Sequence, residues 1–116
     1  MTDRRLSLPR TRRLLTRRQF DSTMKDGRRI RDEYFTVYAR DNGFEHGRLG
    51  MAVARKVSAA AVCRNRIRRQ IRESFRLHQH ALEGLDIVVM ANTRAAAAGN
   101  PALRAALNTH WKRLAH

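Results

Sequence analysis

Cysteine is almost absent. Cys63 is the only one in 116 residues, so no internal disulfide can form and a structural zinc site lacks ligands. That usage reads as a reducing, cytosolic compartment. No apolar run approaches the ~20 residues that a membrane span needs. Acids are scarce: 10 Asp and Glu stand against 25 Lys and Arg, a formal charge of +15 and a pI near 11.8. They also form no paired motif of the kind that holds a metal or moves protons in a protein nuclease. Histidine offers no alternative. His78 and His80 lie two apart on a predicted helix, and His46, His110 and His116 are isolated. No catalytic residue and no protein metal ligand is therefore assigned. There is no internal repeat, and the only low-complexity stretch is Ala95–Ala98.

What is present is positive charge, most of it arginine. Such a charge costs self-repulsion, and its natural relief is a polyanion. Arginine fits phosphate bidentately and stacks on bases, which lysine does not. Residues 1–13 show scattered arginines and Pro9 without a period, and read as a flexible basic arm. Arg-Arg pairs occur there and at Arg17-Arg18, but the apolar stretch of a twin-arginine signal is missing. Residues 14–116 suffice for one domain.

The pattern along that domain predicts six elements. Thr16 and Gln19 form a capping box, Phe20 and Met24 share a helix face, and Gly27 suits a left-handed stop. Arg29 to Arg40, rich in Tyr, Phe, Thr and Val, reads as a strand, and Asp41-Asn42-Gly43 as a turn. Leu49 to Val57 reads as a second strand. Ser58 can cap a long helix from Ala59 to Leu82, ended by Gly84. Leu85 to Ala91 reads as a buried central strand. Asn100-Pro101 opens a last helix as cap and first residue. Helices and strands in this order give an α+β layer.

The long helix carries "CRNRIRRQIRESFR", Cys63 to Arg76. At about 100° per residue, Ala60, Cys63, Ile67, Ile71, Ser74 and Phe75 form one arc. Asn65, Arg68, Arg69, Arg72 and Arg76 form the opposite arc, with Arg64 and Arg66 at its flanks. A merely solvated face would intersperse Glu, since like charges three or four apart cost ~0.2–0.5 kcal/mol per pair. This face has almost none. It reads as a cationic stripe for phosphates, with Asn65 able to bond phosphate, ribose or a base edge.

"AVCRNRIRRQIRESFR" resembles the signature of the bacterial ribonuclease P protein component. "RLLTRRQFDSTMKDGRRIRDEYFTVYARDN", "RLGMAVARKVSAAAVCRNRIRR" and "GLDIVVMANTRA" resemble the same family in unbroken order over about residues 12–114. The resemblance implies a single-domain α+β fold with a mostly antiparallel sheet of about four strands and three helices. Its order would be α-β-β-β-α-β-α, ribosomal protein S5 domain 2-like, with a left-handed β-α-β crossover. It implies an accessory subunit of an endoribonuclease whose catalytic RNA carries the active site. Mg²⁺ would be bound mainly by that RNA and the substrate, a precursor tRNA cut at its mature 5′ end. The protein alone would be inactive, cytoplasmic, and in need of no protein partner or membrane. The stretch that matches assigns RNA binding to Arg55, Lys56, Arg64, Asn65, Arg66, Arg68, Arg69, Arg72 and Arg76. A cleft for the 5′ leader would involve Arg17, Phe20, Met24, Phe35 and Val37, with Tyr34 and Tyr38 on the alternate strand face. Met24 stands where the family often has a second aromatic.

Three other readings share parts of this pattern. A ribosomal or other structural RNA-binding protein would have the same charge and size. A DNA-binding helix-turn-helix needs a short helix before the basic one, and here strands flank it. A binder of anionic membranes would need the apolar arc that the core requires.

Overall fold

The computed structural model describes residues 15–115, so the basic arm predicted at 1–13 lies outside the described residues. The first helix, α1 (Arg17–Asp26), begins as the sequence dictates. Thr16 Oγ1 accepts from the Gln19 N–H, and the Gln19 side chain accepts from the Thr16 N–H. Its end differs from the expectation. Gly27 is extended, with φ −80° and ψ 160°. Glycine is needed there for space: a Cβ would sit 2.5 Å from the Thr23 carbonyl oxygen and 2.8 Å from that of Ala39.

The run predicted as one strand from Arg29 to Arg40 is a hairpin of β1 (Arg28–Arg31) and β2 (Phe35–Asp41). Asp32 makes the break. Its Oδ1 accepts from the N–H groups of both Tyr34 and Phe35 at 2.8 Å, a side-chain turn that competes with the extended chain. Then come β3 (Arg48–Ala52), α2 (Ala61–Leu77) and β4 (Leu85–Ala91). A 3₁₀ turn over Thr93–Ala97 precedes α3 (Asn100–Leu114). The predicted strand Leu49–Val57 is shorter because residues 53–57 turn toward α2. That helix also falls short of its predicted bounds. Its cap position is Ala60, and Ser58 Oγ accepts from the Ala60 N–H instead. At the other end the His78 ring nitrogen lies 2.8 Å from the Ser74 carbonyl oxygen. Turns then follow that bury Leu82 completely, and Gly84 comes only after them. Gly99, not Asn100, caps α3.

The sheet order is β1-β2-β4-β3. β2 pairs antiparallel with β1 and β4, and β3 pairs parallel with β4. Helices α2 and α3 cover one face. Phe35, Val37 and Ala39 from β2 meet Ile67, Ile71 and Phe75 from α2 there, together with Leu103, Leu107 and Trp111 from α3. Phe75 and Trp111 pack edge to face with centroids 6.1 Å apart, and the buried Trp111 indole donates to Ser74 Oγ at 2.7 Å. Ser74 thus belongs to the apolar arc because it satisfies the one polar atom of the tryptophan. Helix α1 lies on the other face, where Phe20 approaches Gly50 so closely that a Cβ would lie 2.7 Å from its ring.

Candidate nucleic-acid interface

The two arcs of α2 part as the period predicted. Ile67, Gln70, Ile71, Ser74 and Phe75 are buried. Asn65 and Arg69 are exposed, and Arg64, Arg66, Arg68, Arg72 and Arg76 are partly exposed. What the guanidiniums touch matters more than where they point. Arg64 donates to the carbonyl oxygens of Ser58 and Ala59, both at 3.0 Å. Arg68 donates to Asn65 Oδ1 at 3.0 Å and to the Val53 carbonyl at 3.3 Å. Arg66 turns the other way, to Asn100 Oδ1 at 2.8 Å and the Ala96 carbonyl at 3.2 Å. All these acceptors are neutral, so the bonds fix the side chains and leave the charge whole. Arg69 and Arg72 make no ion pair or hydrogen bond among the described residues. Only Arg76 faces a carboxylate, Glu73, at 2.6 Å. That hydrogen bond, opposed by burial and aided by Arg72 and Arg104, holds the Glu73 carboxyl below its ordinary range.

Arg64 and Arg68 close over residues 53–59, the link from β3 to α2. The same link carries Arg55 and Lys56, both exposed. Lys56 then lines a groove of about 310 Å³ on the α1 side of the sheet, with Arg29, Thr36, Tyr38, Met90 and Asn92. Register explains the set. Thr36 pairs with Met90, and Tyr38 pairs with both Arg29 and Val88, so these side chains share one face. The polar end of the groove is ordered. Thr36 Oγ1 donates to Asn92 Oδ1 at 3.2 Å, and the Asn92 amide donates to the Asp32 carbonyl at 3.1 Å. The groove therefore joins cations from β1 and from the β3–α2 link across an aromatic and a thioether. That combination suits a single nucleic-acid strand.

Phe35 and Val37, expected in a cleft, are both 0% exposed and belong to the core under α2 and α3. The strand alternation was read correctly, but the faces were exchanged. Thr36 and Tyr38 carry the groove, while Tyr34 packs at the edge of the core. Phe20 and Met24 are half-buried on α1, on the groove's side of the sheet. The Arg17 side chain is 90% exposed and pairs with Asp21 at 3.4 Å. Arg29, Thr36, Met90 and Asn92 were missed. Arg29 and Thr36 looked like ordinary strand residues, and Met90 looked like part of a wholly buried run.

The chain matches the family model described as Ribonuclease P over residues 8–115. It is 46% identical over 103 residues to the ribonuclease P protein component of Methylococcus capsulatus, covering 89% of this chain and 80% of that one. It is 40% identical over 107 residues to the component of Pseudomonas putida, covering 91% and 80%. Among solved structures, the ribonuclease P protein of Thermotoga maritima superposes with a TM-score of 0.79 at 34% identity, over 90% of this chain and 98% of that one. A mutant of the Staphylococcus aureus protein superposes at 0.83 and 31%, over 89% and 87%. With a basic helix, a cation-lined groove and these relatives in agreement, the chain belongs to the ribonuclease P protein family.

Proposed function

We propose that the arginine face of α2 docks on the catalytic RNA of ribonuclease P while the groove on the α1 side holds the single-stranded 5′ leader of precursor tRNA. The reaction is endonucleolytic removal of that leader to give the mature tRNA 5′ end, with catalysis by the RNA. One observation carries the assignment of surfaces: Arg64, Arg66 and Arg68 of α2 are held by neutral oxygens, and Arg69 and Arg72 make no ion pair or hydrogen bond among the described residues. Their charge is free for phosphate, and the 53–59 link delivers it to the edge of the groove. Among the described residues no three carboxylate, imidazole or thiol groups gather to hold a metal ion. In this reading the Mg²⁺ of the reaction would be bound mainly by the RNA and the substrate. The protein's part is to place cations where two RNAs meet, offsetting phosphate repulsion. Single-stranded leader would gain from stacking on Tyr38, worth ~1–3 kcal/mol per base on aromatic faces. The place of action is the cytoplasm.

Adding the protein to a bacterial ribonuclease P RNA at low Mg²⁺ tests this. Restored 5′ processing, and tighter binding of leader-bearing precursor than of mature tRNA, are the expected results. A structural RNA-binding protein would bind both RNAs alike. Cleavage by protein freed of all RNA would overturn the assignment of catalysis to the RNA.

A further inference from the structure

A second cavity lies at the opposite end of β2, beside the C-terminus of α1. It is an open depression of about 320 Å³ lined by Asp26, Arg28, Ala39, Arg40, Asp41 and Leu85. That volume falls at the small end of ligand sites, about 300–1,000 Å³. Its charges balance, with two carboxylates and two guanidiniums. A phosphate, which needs a net positive site, is thereby disfavoured, and so is a bare cation. What the cavity offers is a mixed set of donors and acceptors beside the small apolar surface of Ala39 and Leu85.

Arg40 is the telling member. Its Nη1 lies 3.7 Å from Asp26 Oδ2 and its Nη2 lies 4.0 Å from Asp86 Oδ2, both beyond hydrogen-bond reach. Its Nε is buried without a partner. The side chain is 30% exposed, so its Nη groups, held between carboxylates but bonded to neither, stay open to a ligand, while the unpartnered buried Nε is an uncommon state. Asp86 does not compete for it, because Arg48 already takes both Asp86 oxygens, at 2.7 and 2.9 Å.

We propose that this cavity takes an unpaired guanine of the 5′ leader. Guanine places two N–H donors on one edge and the O6 and N7 acceptors on the next. A carboxylate accepts from the first edge and a guanidinium donates to the second. Asp26 or Asp41 supplies the carboxylate, and Arg40 or Arg28 the guanidinium. Adenine lacks the acceptor O6, and the pyrimidines lack the N7 edge. The cavity rests on the groove reading above, and it is near enough to share a strand with it. Arg28 adjoins Arg29 on β1, and Arg40 lies two residues from Tyr38 on β2, about 7 Å along the strand.

The test uses the full chain reconstituted with a bacterial ribonuclease P RNA. Precursor tRNAs carry an all-uridine leader into which a single guanosine, inosine or adenosine is walked position by position, and affinity is measured for each. One position should gain about fivefold or more from guanosine, less from inosine, which lacks the 2-amino donor, and nothing from adenosine. In Asp26→Asn combined with Asp41→Asn the guanosine-to-uridine ratio should fall toward one. Arg40→Gln, checked for its melting transition, should do the same. If leader-bearing precursor binds better than mature tRNA yet no position prefers guanosine, the cavity proposal is wrong and the groove reading stands. If precursor and mature tRNA bind alike, the groove reading fails and the cavity proposal with it. A guanosine preference untouched by all three substitutions also overturns the cavity.

Discussion

Two sets of arginines in this small molecule meet opposite fates. At the end of the sheet where β3 and β4 begin, Arg48 grips the fully buried Asp86 through two hydrogen bonds, and Asn42 donates to the same carboxylate at 3.0 Å. Phe44 lies over the far side of the Arg48 guanidinium, 4.8 Å from ring centroid to carbon. That arginine is spent on the fold. Along α2, among the described residues, arginines rest on carbonyl and amide oxygens or make no such bond, and only Arg76 meets an acid. The difference teaches that arginine count alone does not locate an interface. The acceptor decides, because a carboxylate cancels the charge that a carbonyl merely steadies.

The sharpest way to break this contrast is at Asp86. Asp86→Ala leaves the Arg48 guanidinium, only 17% exposed, without its counter-ion. Removing one partner of a buried pair costs ~3–5 kcal/mol. Urea denaturation should show that loss, and a change below about 1 kcal/mol would mean that Arg48 finds water and was never committed to the fold.

Next in size is the opposite experiment. Arg69→Ala with Arg72→Ala removes two charges that make no ion pair or hydrogen bond among the described residues. Stability should move by less than ~0.5 kcal/mol. Affinity for the catalytic RNA should fall about tenfold per residue, and the log–log salt slope should shrink by about 1.5. An unchanged slope would remove these residues from the phosphate interface.

Arg66 lies between the two classes. It sits in the Arg-Asn-Arg signature, yet it ties α2 to Ala96 and Asn100, the approach to α3. Arg66→Ala should therefore cost ~1–2 kcal/mol of stability as well as RNA affinity, whereas Arg69→Ala costs affinity alone. If Arg66→Ala leaves the denaturation midpoint in place, its bonds to α3 carry no weight and it joins the free set.

How much of this was legible in the residues follows from which physics is local. The capping box at Thr16 and the two arcs of α2 depend on spacing within one element, and both appear as read. The split of β1 from β2 at Asp32 depended on a side chain choosing its own backbone, inside a run whose strand propensity pointed the other way. The exchange of Phe35 and Val37 for Thr36 and Tyr38 has another cause. Alternation shows that two faces exist, but only the partners of β2 decide which one α2 and α3 cover. Tyr38 and Phe35 look equally fit for a core. The groove also needed β4, whose run Leu85–Ala91 is apolar throughout and so hides that Met90 reaches the open side. Most partners of the arginines were invisible for the same reason, since apart from Asn65 and Glu73, three positions away, they come from residues 5 to 34 positions away.

The smallest expected effect concerns the core rather than the interface, and it extends the same lesson to a residue with no adequate acceptor. His110 on α3 is 1% exposed, and neither ring nitrogen completes a hydrogen bond, although Nε2 lies 3.3 Å from Asp32 Oδ2. Burial lowers its pKa, the nearby Asp32 carboxylate pulls the other way, and Arg113 adds to the lowering. The unfolded chain therefore takes up the proton near the ordinary pKa of about 6.5, while the folded chain resists it. Between those two values the unfolded state binds more protons, so stability is full above pH ~6.5 and declines as pH falls below it, by at most ~1.4 kcal/mol per pH unit for one group. Glu73 acts in a different window. Its carboxyl is depressed in the fold, so its contribution is lost only as pH falls through the carboxyl range near 4 and below. Urea midpoints between pH 7.5 and 5.5 should therefore fall in the wild type and flatten in His110→Gln. A wild-type midpoint that rises as the pH drops would mean that Asp32 outweighs burial, and that the pair is a charge-stabilised link between α3 and the β1–β2 turn.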